Sequence, residues 1–528
     1  MKAFGVVSHI IVLDKLYETG VHPKIWTIVK NLYNGMTSKV RWAGGISDNF
    51  KILQGVRQGG ILSPLLYKIY NNNLLMELQM SRLGFRIGNI YMGCPTCADD
   101  IALLSRDTNE LQCMLSTLHR HSLQDRVTIH PTKTKAVVFS RSNSIKSSLT
   151  WKLGDSDISP TKQTVHLGIL RSELKENVLN IEDRISISEG QCMPYLVQAS
   201  TAQMSYVIPK LLYGLEVLPL NNSQLDILKR FHISNLRRFQ TLPTRTATCI
   251  VYLLLGALPI DAEIHKRHLS LLHNILTCNN TTIRNLMLRQ RAVNGDNCDS
   301  FFGRIQENLE FYKLPDIDSL LLEQPSKLAF KYQCKCAIQK TWTNLLKAEI
   351  DNKSTLKYIN ANVLAIGTPR TLWKSLRSMV SEVKMGITKA RMLTGTFMTQ
   401  ATRYKFKIEN VDHICQLCAI YSEDIKHILL ECPALHSVRQ LYYSRLKVEV
   451  IRLIGEKKWL ELFGNQESIL LLILDCSNFS ENVNTEQITV ITKISTELCH
   501  QLYIKRLKLL EGLRITSTIT RGTRSSNM

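Results

Sequence analysis

The chain has 528 residues, 44% of them hydrophobic and 21% charged, with 66 lysines and arginines against 44 acids, a net charge of +22. That length exceeds what one core covers and points to roughly two to four domains, while the composition excludes an intrinsically disordered chain. The cationic excess suits a polyanionic partner, most simply nucleic acid, with a basic membrane-surface protein as the competing reading.

Apolar residues recur at helical spacing over residues 6–18, with Gly20 as a stop, and Pro23 opens a second helix that Gly35 ends. Residues 39–42 and 50–53 read as a hairpin joined through Gly44 and Gly45. Ser63 and Pro64 cap a helix running to about Met80. Strands are predicted near 85–91 and 98–104, then a helix from Thr108 or Asn109, then strands at 127–130 and 135–139. This alternation predicts an α+β fold of the split βαβ layout, an antiparallel sheet with helices on one face. Residues 141–148 form a polar, serine-rich connection, and 151–158 with 165–170 a short β element. Beyond about Ser186 the pattern is mostly helical, and the tail from Thr516 is predicted to be disordered.

No apolar run is long enough to span a bilayer, the nearest being residues 249–259, so no membrane segment is predicted. The apolar stretch after Lys2 is broken by Ser8 and His9 and lacks a clean cleavage site, so it is not read as a signal peptide. The expected setting is intracellular, where the fourteen cysteines serve as thiols or metal ligands.

Asp99 and Asp100 are the only charges between Tyr91 and Ser105. Two carboxylates between uncharged runs suit a hard divalent cation such as Mg2+. Adjacent side chains of a strand point to opposite faces, so the two serve one ion only if the chain turns there. An ordinary surface turn is the competing explanation. Upstream, Gln54, Gly55, Val56, Arg57, Gln58, Gly59 and Gly60 form a glycine-rich loop entering a helix, whose amides suit close approach to a phosphate or base.

Taken in this order, the motifs of residues 1–169 resemble the reverse transcriptases of non-LTR (LINE-type) retrotransposons. Gln58 and Gly59 with Leu62, Ser63 and Pro64 resemble the family loop that contacts template and incoming nucleotide, beside Arg57. Ala98, Asp99 and Asp100 resemble its metal-binding box, with Cys97 where an aromatic usually stands. The resemblance makes Lys133 the group that protonates the leaving pyrophosphate, and Leu167 and Gly168 the turn that grips the primer. For Lys133, a solvated lysine is the alternative reading. Lys2, Ala3 and Phe4 match the first catalytic motif, Phe4 guarding the sugar 2′-position. The resemblance implies an RNA-directed DNA polymerase using Mg2+ or Mn2+, an RNA template and a DNA primer, acting in the nucleus. The motif's first aspartate would precede Met1 and its second is replaced by Gly5. The expectation is therefore an N-terminally truncated enzyme, impaired in two-metal transfer. A non-catalytic nucleic-acid-binding protein derived from a retroelement is the alternative.

Downstream, Arg230, Arg237 and Arg238 alternate with Phe231 and Phe239, a pattern that suits a nucleic-acid backbone, with a solvated amphipathic helix as the competing reading. A second basic stretch, residues 384–407, includes Lys389, Arg391, Arg403 and Lys405 as a further candidate surface. Cys415, Cys418, His427 and Cys432 have the ligand types and close Cys-x2-Cys spacing of a closed, structural Zn2+ site, and the region also resembles the C-terminal knuckle of LINE-type proteins. His413 and His436 are read as surface residues, and the pairs Cys94/Cys97 and Cys334/Cys336 as unliganded. The expected organisation is a partial palm at 1–145, a primer-grip-like β element at 146–185, a helical thumb at 186–250, and a helical connector at 251–408. A zinc knuckle at 409–440, C-terminal helices at 441–515 and a tail at 516–528 complete it.

Overall fold

The computed structural model describes residues 3–140, 149–189, 206–294, 300–377, 379–477 and 483–524. The serine-rich connection at 141–148 and residues 525–528 of the expected tail lie outside these. Two compact units divide the chain, one of residues 1–180 with 278–293, the other of 181–277 with 294–528.

In the first unit, α1 (His9–Glu18) starts at Ser8, whose hydroxyl caps it, and α2 (Pro23–Tyr33) starts at a proline. Trp26 of α2 donates to the Leu13 carbonyl of α1 at 2.9 Å. Helix α3 (Ser63–Met80) lies under both, and Val7, Val12, Leu16, Val29, Leu66, Tyr67 and Tyr70 make the shared core. The central tie is ionic. Buried Lys15 reaches Asp125 at 2.5 Å and the Tyr70 carbonyl at 2.5 Å, while the Tyr70 hydroxyl donates to the Asp125 carbonyl. Asp125 caps the C-terminal end of α4 (Thr108–Gln124), so one polar knot joins three helices.

The strands are short. β1 (Thr37–Ser38) pairs with β4 (Phe50–Lys51), and β2 (Arg41–Trp42) pairs with β3 (Gly45–Ile46) across Ala43 and Gly44, both left-handed. A hairpin does turn at Ala43 and Gly44, but it pairs 41–42 with 45–46; the expected pairing of 39–42 with 50–53 is not formed, and 50–51 pair with 37–38 instead. Next come β5 (Arg86–Ile87) with β6 (Ile90–Tyr91), and β7 (Thr96–Cys97) with β8 (Asp100–Ile101). The last four strands pair as β9 (Trp151–Leu153) with β10 (Ser156–Ile158), and β11 (Gln163–His166) with β12 (Ile169–Ser172).

Among the described residues every sheet is two-stranded, which corrects the expected continuous antiparallel sheet. Backbone bonds from Phe85 to Leu104, Leu104 to Gly93 and Met92 to Phe85 hold neighbouring hairpins side by side without extending into a ladder. Residues 127–130 and 135–139 are likewise not strands. A turn at His130, closed by Lys133 and Thr134 N–H groups, separates them, and only Ala136 bridges, to Pro160. Their apolar residues still pack inward, Ile129, Ala136 and Val138 against Leu115, Trp151 and Ile158. Burial satisfies the alternation that predicted strands.

The second unit is helical. Cys249, Ile250, Val251, Tyr252, Leu253, Leu254 and Leu255 are all buried in the helix Thr248–Leu255. No single described helix is long and apolar enough to cross a membrane; this helix and Ile260–Leu276 pass together by composition but are bent by 58°. The helix Lys327–Asp351 packs on both, and Val380–Leu393 and His436–Ile454 pack on the long helix Thr485–Arg524. That helix runs through 516–524, where a disordered tail was expected; extending an existing helix fixes one residue per hydrogen bond and is far cheaper than nucleating one.

Removing one partner of a buried ion pair leaves the other charge uncompensated, at about 3–5 kcal/mol. Asp125→Ala is expected to lose about 3 kcal/mol of protection at α1 and α3 in hydrogen–deuterium exchange of the full chain, while Lys152→Ala, in an exposed 3.9 Å pair, leaves exchange unchanged.

Candidate functional site

The carboxylate pair sits on a tight reversal. Cys97 and Asp100 are paired across a two-residue turn of Ala98, at φ 54°, and Asp99. The chain thus turns where one site for both acids requires it, and both residues are exposed. Tyr67 of α3 feels the Asp99 charge: burial chiefly raises its hydroxyl above the ordinary tyrosine value, and the Asp99 carboxylate adds to the rise. On its other side Tyr67 stacks on Phe4, ring centroids 4.8 Å apart. Tyr67 thus meets Phe4 by direct stacking and Asp99 through its charge.

The loop of Arg57, Gln58, Gly59 and Gly60 is tied to the same helix. Ser63 at the start of α3 donates its hydroxyl to the Arg57 carbonyl at 2.5 Å, and the Gly60 N–H bonds that same carbonyl at 2.9 Å. A Cβ on Gly60 would lie 2.9 Å from the Ser63 hydroxyl, so a side chain there would open the loop. Arg57, Gln58 and Gly59 are left exposed. Upstream, Val56 donates to Phe4 and Gly55 to Val7, both at 2.8 Å. Gly55, at φ 95°, packs so closely on Gly5 that a Cβ would meet its carbonyl oxygen at 3.1 Å. Position 5 itself has open space around it.

Lys133 is exposed on the turn after His130. Leu167, at φ 51°, and Gly168, at φ 73°, are the two turn residues between β11 and β12, with His166 paired to Ile169. Buried Asn180 holds this hairpin, accepting from the Leu170 N–H at 2.9 Å and donating to its carbonyl at 2.8 Å.

In the second unit the helix Asn222–Phe239 carries a capping box and the three predicted arginines, which separate into two kinds. Arg230 and Arg238 are exposed. Arg237 turns inward, its guanidinium on the Thr246 carbonyl at 2.9 Å and the Thr248 hydroxyl at 3.1 Å. The basic stretch at 384–407 is corrected more strongly. Lys389 is buried on Ser495 and 3.7 Å from the Cys476 sulfur, and Arg391 donates to the Thr241 carbonyl at 2.7 and 3.0 Å. Neither is available to a ligand; Lys405 remains exposed.

Cys415, Cys418, His427 and Cys432 converge, with all ligand atoms within 4.8 Å of one another. Sγ of Cys415 and Cys432 lie 3.9 Å apart, and Cys418 Sγ lies 3.4 Å from His427 Nε2. A tetrahedral ion with Zn–S bonds of about 2.3 Å requires sulfur separations of about 3.8 Å, so the set fits zinc. A bridge between Ile414 and Ser422, a left-handed Ala419 and a π-helical turn at His427–Glu431 bring the four together. His427 Nδ1 is buried 3.8 Å from Glu431 and lacks a hydrogen bond. Contact with Cys432, then burial, pushes the Cys415 thiol up to about 12, and the same contact lowers Cys432. His413 and His436 are exposed and outside the cluster, and Cys94, Cys97, Cys334 and Cys336 form no ligand group among the described residues.

Residues the sequence did not mark hold this cluster. Arg439 donates to the carbonyls of Leu429 at 2.9 Å and Cys432 at 2.8 Å. Buried Glu423 pairs with Arg506 through both oxygens, at 2.7 and 2.8 Å, and accepts from the Gln400 N–H. By contrast, among the described residues no third metal-ligating side chain joins Asp99 and Asp100.

Residues 1–170 match the family of reverse transcriptases (RNA-dependent DNA polymerases). The chain is 32% identical over 114 residues to the Pol polyprotein of the type-2 retrotransposable element R2DM of Drosophila melanogaster, covering 22% of this chain and 11% of the relative. It is 28% identical over 176 residues to the RNA-directed DNA polymerase from mobile element jockey of Drosophila funebris, covering 32% and 18%. The R2 polyprotein of Popillia japonica is 25% identical over 226 residues, 41% of this chain and 32% of the relative. The matches thus span less than a third of the length of each of these relatives.

Proposed function

We propose that this chain, whose first 170 residues carry a reverse transcriptase domain of the non-LTR retrotransposon family, binds an RNA template paired to a DNA primer and is impaired in copying it. The observation carrying the reading is the reversal at Ala98 and Asp99, which brings an acid within electrostatic reach of Tyr67, a ring that stacks on Phe4 and stands on the helix that also anchors the Arg57–Gly60 loop. In this reading Arg57, Gln58 and Gly59 contact template and incoming nucleotide, and Phe4 screens the sugar 2′-position. Lys133 faces the leaving pyrophosphate, Leu167 and Gly168 hold the primer end, and Arg230 and Arg238 bind backbone phosphates. The place of action is the nucleus.

Asp99 and Asp100 suit a single Mg2+ or Mn2+ completed by substrate phosphates. They do not fit a two-metal centre, which draws carboxylates from two separate chain segments. Gly5 supplies none, and the described residues offer no substitute. Nucleotidyl transfer by this chain is therefore slower by orders of magnitude than a complete centre allows, and binding is its retained property.

Zinc at Cys415, Cys418, His427 and Cys432 is structural, since four protein ligands close its shell. The purified protein is expected to carry about one equivalent of zinc by mass spectrometry, lost in the Cys415→Ser/Cys418→Ser variant together with thermal stability. Folded, zinc-free protein of unchanged melting temperature would refute it.

The central test is primer extension and binding on one RNA–DNA template–primer. Binding that weakens steeply with salt, with extension at background in Mg2+ or Mn2+, is the expected result. Steady extension abolished by Asp99→Ala would overturn the impairment, and no binding at low salt would overturn the reading itself.

A further inference from the structure

The helix Lys327–Asp351 carries an outer face that neither the polymerase motifs nor the zinc cluster uses. Its inner side is made by Phe330, Cys334, Ile338, Leu346 and Ile350, all buried. Lys327, Lys331 and Lys335 flank this buried stripe, each three positions before Phe330, Cys334 or Ile338, and with Lys340 further round the helix they are exposed over about 20 Å of its length. Between these cations stands Tyr332, 70% exposed, with Leu328 at 82% one turn before it.

This face is arranged against its own helix. Lys327, Lys331 and Lys335 follow one another at i, i+4 and i+8, where like charges repel. None of the four lysines has an acid three or four positions away within the helix, and none makes an ion pair among the described residues. The first turn holds no acid, and a lysine there opposes the helix dipole. Three other helices of the same protein neutralise a surface cation locally: Lys229 with Asp226 at 3.7 Å, Lys266 with Glu263 at 3.2 Å, Arg452 with Glu449 at 2.6 Å. A row of like charges left uncompensated by its own helix suits a compensating charge that is external.

Resting on the reading that the chain binds nucleic acid, we infer that this helix face is a second binding surface, for a single-stranded stretch of RNA or DNA, with Lys331 and Lys335 on its phosphates and Tyr332 stacked on a base. The aromatic ring decides for single strands, because a paired base offers no free face to it, whereas an unpaired base stacks whatever its identity. Lys327 extends the cationic track one turn toward the start of the helix.

The experiment is fluorescence anisotropy of the full chain with labelled U20, dT20 and a 20-base-pair duplex, each at several salt concentrations. Tyr332→Ala is expected to weaken both single strands about tenfold and the duplex little, with Tyr332→Phe retaining wild-type affinity. Lys331→Gln/Lys335→Gln is expected to flatten the slope of log affinity against log salt by about 1.4 for single strands. The exposed thiol of Cys336, one turn after Tyr332, gives a second readout. Bound U20 should slow its alkylation in the wild-type protein, read peptide by peptide. Variants matching wild type in affinity and slope, with Cys336 alkylated at the same rate with and without U20, would overturn this surface alone. A wild-type chain that binds none of the three probes would overturn the proposed function with it.

Discussion

A two-residue reversal constrains the first unit more than any other feature. With Cys97 paired to Asp100, the acids cannot lie along a strand and point apart; one occupies the turn and the other leaves it. Ala98 adopts a left-handed conformation to make this possible, a cost of order 1 kcal/mol for a residue with a Cβ. The surrounding elements hold it in place. Phe85 and Gly93 bond to Leu104 beyond the hairpin, and Tyr67 stands beside Asp99 on α3. Because Ser63 anchors the Arg57–Gly60 loop to the first turn of α3, which also carries Tyr67, that single helix sets ring and loop relative to one another.

The +22 charge is not spread evenly over the surface. A buried cation must be paired or hydrogen-bonded, and several of the chain's cations are used in this way. Arg370 meets Asp475, Arg506 meets Glu423, Arg439 takes the carbonyls around Cys432, and Lys389 takes Ser495. The pairs Arg370–Asp475, Arg506–Glu423 and Lys389–Ser495 join distant segments of the second unit, while Arg439 and Glu423 lie against its metal-ligand cluster. The cations that face outward without an acid, Lys331 and Lys335 among them, are then the ones free to meet phosphate.

Much of the site was legible in the sequence because its signals are local. Pro64, Leu167–Gly168 and the Cys-x2-Cys spacing each encode a helix start, turn or cluster within a few residues, and they lie in the first turn of α3, the turn between β11 and β12 and the four-ligand cluster. Ser63, expected as the cap of α3, lies instead inside its first turn with Leu62 at the cap position, its hydroxyl spent on the Arg57 carbonyl. What was not legible depends on contacts between distant segments. Alternating apolar residues at 127–138 predicted strands, but the alternation is satisfied by packing on Trp151 and Leu115 instead of by a ladder. Arg237, Lys389 and Arg391 read as surface cations because nothing in their neighbourhood names Thr246, Ser495 or Thr241 as partners. Tyr67, Asn180, Glu423 and Arg439 escaped notice for the same reason: a single polar or aromatic residue in a helix has no pattern until the fold supplies its neighbour.

Counting divalent ions addresses the carboxylate pair directly. Manganese titration followed by electron paramagnetic resonance, with zinc already bound, should find one weak site per chain that tightens when template–primer and nucleotide are added and disappears in Asp99→Asn/Asp100→Asn. Two tight manganese ions in the wild-type chain, both lost in that variant, would mean a complete two-metal centre and would contradict the account.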